Sequence, residues 1–184
     1  MKEFTEFREA VFEDLPKIIE IYNSTVPSRM VTADTEPVTV ESRLKWFEEH
    51  HILKRPLYMI IHDGKTAGWM SFQSFYGRHA YDFTAEISIY IDEEFRGKGI
   101  GQLSIQKAIE VSPKIGIKTL LGFIFAHNAP SIKLFSKFGF EKWAHLLVCR
   151  PQVLLCLPGM RGAGAGPDEG PSGCGGPQPD GEDH

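Results

Sequence analysis

Two hydrophobic periods follow each other between Thr84 and Ser112. In the first part of this stretch, apolar residues occupy every second position, as in a half-buried strand: Ala85, Ile87, Ile89 and Ile91. From Ile100 onward, apolar residues recur every three or four positions, as on the inward face of a helix: Leu103, Ile105, Ala108 and Ile109. We therefore predict a strand and a helix that are joined by a glycine-rich turn at 96–101.

Similar patterns predict the rest of the fold. Further strands are expected at 4–10, 57–61, 67–75, 119–125 and 140–148. Asp63-Gly64 lies between two of these strands and is typical of a hairpin turn. Two helices follow the first strand, and Asn128 can cap another helix before the last strand. This order predicts an α/β (α+β) fold with a mixed, mostly antiparallel central sheet, flanked by helices, and one parallel strand pair in the middle.

The composition of the chain changes after Trp143. Every Phe, Trp and Tyr lies at or before this residue, and all three cysteines lie after it. Residues 159–184 are mostly glycine, proline, alanine and acidic residues, which cannot bury enough apolar surface to offset the entropy of ordering. We expect a folded domain at 1–148 and an atypical, disordered Gly/Pro-rich tail at 149–184. The short apolar run at 149–157 is placed in the tail because Pro151 and Pro158 interrupt it.

Charge and hydropathy exclude several classes of function. The net charge of −4 gives no general attraction to nucleic acid or to an anionic membrane surface. No apolar run reaches the roughly 18 residues that span a bilayer, and no secretory segment opens the chain. The histidines, cysteines and acidic residues show no metal-ligand spacing. We expect a cytoplasmic protein that binds no metal, no nucleic acid and no membrane.

The glycine-rich turn reads Arg96-Gly97-Lys98-Gly99-Ile100-Gly101. A turn of this kind at a helix N-terminus directs several backbone N–H groups and the helix dipole at one point, which suits a phosphate or pyrophosphate. The dinucleotide fingerprint would need glycine at Gln102, and a P-loop would need glycine at Asp92. The pattern that fits is Arg-x-x-Gly-x-Gly between a strand and a helix.

That pattern resembles the pyrophosphate loop of the GNAT superfamily of N-acyltransferases, and the predicted element order is similar to the GNAT fold. The resemblance covers about residues 4–143 and is closest to the phosphinothricin N-acetyltransferase group. The matching stretches are 21–25, 32–37, 46–47, 75–78, 80–81, 84–91 and 125–128.

The resemblance implies acetyl-CoA as cosubstrate, bound where the two parallel central strands splay apart. Its pantetheine arm would pair with the edge of the strand that precedes the glycine-rich turn, and its pyrophosphate would lie on that turn. The cofactor-binding residues implied in this way are Ile89, Tyr90, Ile91, Arg96, Gly97, Lys98, Gly99, Ile100, Gly101 and Asn128.

The implied reaction is direct attack of a primary amine on the thioester, with Glu86 at the position of the family's catalytic base. Because an α-amino group has a pKa of roughly 7.7–8.0, about a tenth of the amine is already neutral near pH 7, so the base supplies on the order of 1.4 kcal/mol. A backbone N–H of Ile89 or Tyr90 could stabilise the oxyanion. Phe135 stands at the usual place of a tyrosine acid, so the general acid is unassigned.

The acceptor implied by the resemblance is a small amino-acid-like molecule such as phosphinothricin, methionine sulfoximine or methionine sulfone. Arg29, Arg78 and Tyr81 are the candidate substrate-binding residues, although each alone could be an ordinary surface residue. Two alternatives remain open: a catalytically impaired acyl-CoA-binding domain, and an acetyltransferase for a protein N-terminus, a polyamine or an aminoglycoside. The family also implies a homodimer.

The end of the chain departs from the family pattern after Trp143. We hypothesise that the usual C-terminal hairpin has been replaced, which would leave a sheet edge uncovered and apolar core exposed.

Overall fold

The computed structural model of the protein describes residues 4–76, 79–146 and 152–157. Its strands are β1 (Thr5–Glu9), β2 (Leu57–His62), β3 (Lys65–Ser74), β4 (Thr84–Ile91), β5 (Thr119–Phe125), β6 (Glu141–Leu146) and β7 (Gln152–Leu157). Its α-helices are α1 (Leu15–Thr25), α2 (Leu44–Glu48), α3 (Ile100–Val111) and α4 (Ala129–Lys137). The predicted order of elements is confirmed up to β6, and β7 is an addition to it.

The described strands form a seven-stranded sheet in the order β1-β2-β3-β4-β5-β7-β6. Within it, β4 and β5 are the parallel pair, and the other neighbouring strands pair antiparallel. The hairpin between β2 and β3 turns at Asp63 and Gly64, whose φ angles of 48° and 75° are the left-handed values of a type I′ turn. The predicted mixed, mostly antiparallel sheet is therefore confirmed.

Helices cover both faces of the sheet, and the alternation along β4 divides its side chains between them. Ala85 and Ile87 are buried in the larger core cluster, together with the inward residues of α3. On the other face, Ile18 and Ile21 of α1 pack against Trp69 and its neighbours on β2 and β3. The polar positions of β4 consequently face α1 and α2, which places them in the site described below.

One residue of α3 differs from the predicted pattern. Leu103 was expected to face inward, yet its side chain is 41% exposed. The buried residues of this helix follow a line through Ile100, Ser104, Ala108 and Val111, which places Leu103 at the margin of the buried face.

The predicted boundary at residue 148 is wrong for residues 152–157. These residues form β7, which lies between β5 and β6 and pairs with both. Pro151 and Pro158 flank the run instead of interrupting it, and proline is tolerated at strand ends. The predicted uncovered sheet edge at this position is therefore wrong as well. The rest of the predicted disordered tail, residues 149–151 and 158–184, lies outside the described residues.

Replacing Leu155 by alanine tests the contribution of β7 to the core. Leu155 is 1% exposed, so we expect the free energy of unfolding to fall by about 2–5 kcal/mol because a cavity replaces its side chain. Urea unfolding measures this change. The neighbouring Leu154→Ala is the matched control, since Leu154 is only partly buried and should cost less. Equal losses for the two variants would contradict the assigned register of β7.

Candidate active site

The parallel strands β4 and β5 separate after a short paired segment. Their register covers Thr84–Thr119, Ala85–Leu120 and Glu86–Leu121, and β4 continues for five residues beyond it. The gap between the diverging strands is lined by residues of both, including Ile87 and Ile89 on one side and Gly122 and Phe125 on the other. An extended ligand could pair with the edge of β4 at this point as an added strand does.

The gap leads into a cavity of about 340 Å³ that reaches the glycine-rich turn. Predicted cofactor residues that line this cavity are Ile89, Tyr90, Ile91, Arg96, Gly101 and Asn128. Gly97 and Gly99 of the turn have φ angles of 80° and 78°, which favour glycine. The first helical bonds of α3 are donated by Gln102 and Leu103 to the Gly99 carbonyl, so the N–H groups just before them lie at the helix N-terminus.

Two of the predicted cofactor residues have side chains that point elsewhere. Ile100 is 1% exposed and packs in the core, so only its backbone could contact a phosphate. The Lys98 ammonium lies 4.7 Å from the centre of the Phe95 ring. Its charge is next to the turn, and the aromatic face holds the side chain in place.

Asn128 connects this region to the loop after α1. Its side-chain oxygen accepts a hydrogen bond from the Ser131 N–H at 3.2 Å, which confirms the predicted N-cap of α4. Its amide nitrogen donates to the Met30 carbonyl at 3.1 Å. His127 makes a parallel contact, 3.1 Å from its Nε2 to the Arg29 carbonyl. The loop therefore closes one side of the cavity.

The polar side chains of β4 face a separate cavity of about 160 Å³ between the sheet and helices α1 and α2. We call it the polar cavity. Its sheet wall consists of facing residues on β3 and β4, and its helical wall includes Tyr22, Arg43 and Trp46. The facing pairs are Gln73–Glu86, Ser71–Ser88 and Trp69–Tyr90.

The Glu86 carboxyl group is partly buried in this cavity and hydrogen-bonds none of the described residues. Burial raises the pKa of Glu86 above its ordinary value, because desolvation disfavours the carboxylate. A carboxylate with a raised pKa is a stronger base, as removal of a proton from an ammonium group requires. The geometry is thus compatible with the predicted role of Glu86.

Ser71 is a second polar group that faces the cavity. Its residue is 1% exposed, and its hydroxyl has no hydrogen-bonding partner within the described part of the chain. A buried polar group without a partner costs about 1–3 kcal/mol, so this hydroxyl lowers the stability of the fold by an amount of that order. The sequence analysis missed Ser71, because only the pairing of β3 with β4 brings it opposite Ser88.

Tyr22 and Arg43 were also missed. Tyr22 donates to Asp34 at 2.6 Å and contacts Thr32, while the Arg43 guanidinium lies 3.0 Å from Asp34 and 5.3 Å from the Tyr22 ring centre. These contacts connect the polar loop at 26–37 to α1 and to the residue that precedes α2. The sequence shows that this loop is polar and has no clear hydrophobic period. It does not show which residues the loop contacts.

Two of the predicted substrate residues, Arg29 and Tyr81, do not line the polar cavity that contains Glu86. Arg29 is exposed and lines neither cavity described above, while Tyr81 is 42% exposed and packs edge-on to Phe75 at 5.5 Å. Arg78 lies outside the described residues. The substrate-binding role of these three residues stays a prediction.

Phe135 lines the gap between β4 and β5 and is 7% exposed. A side chain on Gly122 would come within 2.8 Å of the Phe135 ring, so glycine at this position makes room for it. The ring carries no proton donor, and the general acid stays unassigned.

Replacing Glu86 by glutamine should stabilise the fold in a pH-dependent way. Because the pKa of Glu86 is raised on folding, the folded state binds the proton more tightly, and stability falls as pH rises from the ordinary carboxyl range through the raised value. Glutamine removes this penalty. We expect the midpoint of thermal unfolding of Glu86→Gln to exceed that of the unaltered protein more at pH 7 than at pH 4. An equal difference at both pH values would contradict the raised pKa.

In the described ranges, no group of three or more histidine, cysteine, aspartate or glutamate side chains is arranged to hold a metal ion. None of the described helices is both long and apolar enough to span a bilayer.

Comparison with known proteins gives consistent matches. A profile of the acetyltransferase (GNAT) family matches residues 16–140. A Bacillus subtilis protein, provisionally assigned as a phosphinothricin acetyltransferase, is 55% identical over 137 residues, or 74% of this chain and 83% of that protein. An L-methionine sulfoximine/L-methionine sulfone acetyltransferase of Pseudomonas aeruginosa is 31% identical over 136 residues, or 73% of this chain and 78% of its own.

A solved structure agrees with these sequence matches. The crystal structure of a GNAT superfamily phosphinothricin acetyltransferase from Sinorhizobium meliloti, in complex with acetyl-CoA, has a TM-score of 0.80 at 26% identity. The match covers 90% of this chain and 94% of that one. Because the family profile and the relatives cover most of the fold described above, the resemblance is confirmed, and the chain belongs to the GNAT family of acetyltransferases.

Proposed function

We propose that this protein transfers an acetyl group from acetyl-CoA to the primary amine of a small amino-acid-like substrate of the phosphinothricin, methionine sulfoximine or methionine sulfone type. The acetyltransferase relatives named above support this acceptor class. The observation that carries the proposal is the position of Glu86, whose carboxyl group lies between the splayed strands and the polar cavity and has no hydrogen-bonding partner among the described residues.

The residues present fit acetyl-CoA as the donor. The gap between β4 and β5 offers an unpaired strand edge for an extended arm, and the turn at 96–101 offers N–H groups and positive charge for a pyrophosphate. The thioester of acetyl-CoA supplies an acetyl group that is already activated toward amines.

The chain itself contributes two actions. Glu86 accepts a proton from the acceptor's ammonium group, directly or through one water, so that the amine has a free lone pair. A backbone N–H of Ile89 or Tyr90 donates to the oxygen on which negative charge develops. Since the leaving thiol has a pKa of roughly 8.5, the thiolate can depart without a strong acid, which is consistent with Phe135 at that place.

The alternative of an impaired acyl-CoA-binding domain loses part of its support. It depended on an altered C-terminal ending and on Phe135, and β7 is in place between β5 and β6. The alternative acceptors, a protein N-terminus, a polyamine or an aminoglycoside, differ from the proposed ones in size and charge. The cytoplasmic location and the homodimer stay predictions.

An acceptor panel tests the proposal. Thiol release from acetyl-CoA is measured with methionine sulfone, methionine sulfoximine and phosphinothricin, and in parallel with spermidine, an aminoglycoside and a short peptide with a free N-terminus. We expect the highest kcat/KM among the first three. Turnover confined to spermidine, the aminoglycoside or the peptide would overturn the acceptor class. Acetyl-CoA binding without any turnover would favour the impaired domain.

A further inference from the structure

Arg43 carries the positive charge among the residues that line the polar cavity together with Glu86. The mechanism above uses Glu86 and leaves Arg43 without a role. The Arg43 side chain is 30% exposed, so a ligand can reach it without displacing the core. A guanidinium presents five N–H donors in one plane and no acceptor, which suits a group with several oxygens. Arg43 is therefore a candidate for binding a part of the acceptor other than its amine.

Two contacts hold the Arg43 guanidinium in place. Its Nη2 donates to the Asp34 carboxylate at 3.0 Å, and its central carbon lies 5.3 Å from the centre of the Tyr22 ring. The Tyr22 hydroxyl donates to the same carboxylate oxygen at 2.6 Å. Within the described part of the chain, the Arg43 side chain makes no other hydrogen bond than the one to Asp34. Several donors of a guanidinium that is already oriented therefore remain for a ligand, which lowers the entropic cost of binding.

Arg43 and Glu86 belong to different ends of the polar cavity. Glu86 and Tyr90 lie on the same face of β4, and a separation of four residues places their Cα atoms roughly 13 Å apart at the usual rise of a strand. The Tyr22 ring packs on Tyr90 with 5.2 Å between the ring centres, and Arg43 packs on Tyr22. The pKa shifts agree with this arrangement. Burial raises the pKa of Tyr90 and Arg43 opposes the shift, whereas the pKa of Glu86 responds to burial alone.

The proposed acceptors carry two groups with oxygens, at different distances from the amine. The α-carboxylate is attached to the same carbon as the amine. The phosphorus of phosphinothricin, and the sulfur of methionine sulfone or methionine sulfoximine, is three bonds away from that carbon and also carries oxygen. When the amine is at the Glu86 end of the cavity, the group that reaches the Arg43 end is the remote one.

We propose that Arg43 determines acceptor specificity by donating hydrogen bonds to the oxygens of the phosphinate, sulfoximine or sulfone group, while Asp34 positions its guanidinium. The inference rests on the proposed function and narrows the acceptor class to amino acids whose side chain carries oxygen on phosphorus or sulfur. Hydrogen bonds from a guanidinium to an anionic phosphinate are charge-assisted at both ends and are therefore stronger than those to a neutral sulfone. An apolar acceptor side chain would leave the guanidinium donors without a partner.

Three variants separate this role from a structural one. Arg43→Gln removes the guanidinium and its charge but keeps a polar side chain. Arg43→Lys keeps the charge and replaces the planar set of donors by a compact ammonium group. Lys45→Gln is the matched control, because it removes an exposed cation from α2 that does not line the polar cavity. Thermal unfolding checks that each variant is folded, and Arg43→Lys carries the test if Arg43→Gln is not.

Calorimetric titration in the presence of CoA measures acceptor binding without acetyl transfer. The ligands are phosphinothricin, methionine sulfone, the carboxamide of methionine sulfone, which lacks the α-carboxylate, and norleucine, which lacks the side-chain oxygens. In Arg43→Gln we expect Kd to rise about 10- to 100-fold for phosphinothricin and about 3- to 10-fold for the sulfone and its carboxamide. The Kd for norleucine should change by less than about twofold. Arg43→Lys should lie between Arg43→Gln and the unaltered protein, and Lys45→Gln should match the unaltered protein.

Three results would overturn the inference. An equal loss of binding for norleucine and phosphinothricin would mean that Arg43 maintains the shape of the cavity. A loss for the sulfone that disappears with its carboxamide would assign Arg43 to the α-carboxylate instead. Unchanged binding of phosphinothricin in Arg43→Gln would remove the role of Arg43 altogether.

The same titration separates this inference from the proposed function. The expected pattern of binding, without acetyl transfer to any acceptor of the panel, would refute the proposed function and leave the role of Arg43 in place. Turnover of phosphinothricin and methionine sulfone with an unchanged kcat/KM in Arg43→Gln would support the function and overturn the inference. If the unaltered protein bound neither phosphinothricin nor methionine sulfone, both would be overturned.

Discussion

Glu86→Gln lowers kcat/KM for the acceptor amine by about 10- to 100-fold at pH 7. Glutamine has the shape of glutamate but cannot accept the ammonium proton, and a positioned base contributes on the order of 100-fold or more. The lower end follows from the amine itself, because about a tenth of an α-amino group is neutral at this pH without help. Steady-state thiol release from acetyl-CoA measures the effect.

The size of this effect should depend on pH. Near pH 9 most of the amine is already neutral, so the two proteins should differ only a few-fold. The control variant is Glu48→Gln, which removes an exposed carboxylate from α2 and should leave kcat/KM unchanged. A deficit in Glu86→Gln that is as large at pH 9 as at pH 7 would mean that Glu86 does more than remove a proton.

Gly68→Ala reduces the free energy of unfolding by about 3 kcal/mol or more. Gly68 pairs with Ile91 where β3 meets the end of β4, and a Cβ atom there would lie 2.2 Å from the Tyr90 carbonyl oxygen. Real structures do not tolerate this separation, so the two backbones must move apart. The displaced part of β4 carries Tyr90 and Ile91, which line the predicted acetyl-CoA cavity. Urea unfolding and acetyl-CoA binding measure the two consequences.

Gly101→Ala is the matched control for this prediction. Its Cβ would lie 2.9 Å from a methyl group of Leu134, a flexible side chain that can move aside. Alanine also stabilises a helix by up to about 1 kcal/mol relative to glycine. We expect a change within about 1 kcal/mol for Gly101→Ala. Similar losses in both variants would contradict the backbone contact as the cause.

The fold was largely predictable because its signals are local. The alternation in β4, the helical period of α3 and the Asp63-Gly64 turn each depend on residues that are close in sequence. Together they predicted the order of elements, and the parallel β4–β5 pair followed from that order. The alternation also places Glu86 on the polar face of β4, but its predicted role as the base came from the resemblance to the family.

β7 was missed for a physical reason. The run at 152–157 is short and apolar, and its flanking prolines resemble the end of a folded segment. Its assignment as a strand depends on two partners that are distant in sequence, since β5 and β6 leave a place between them that β7 fills. The pattern of apolar residues within 152–157 does not indicate these two pairing partners.

The walls of the candidate site could not be predicted either. Ser71 lies opposite Ser88 on the wall of the polar cavity only because of the register between β3 and β4. Arg43 is held by Asp34 on a loop without a period. The resemblance to the family directed attention to Arg29 and Tyr81, which do not line the polar cavity that contains Glu86.

The most direct test of the central claim is to identify the product by mass spectrometry. The protein is incubated with acetyl-CoA and methionine sulfone. The masses of the acceptor and of the intact protein and the amount of free CoA are measured after a single turnover and after many turnovers. Direct transfer to the amine predicts N-acetyl methionine sulfone in a one-to-one ratio with CoA and an unchanged protein mass. CoA release without an N-acetylated acceptor, or a protein that gains an acetyl group during the reaction, would contradict the account.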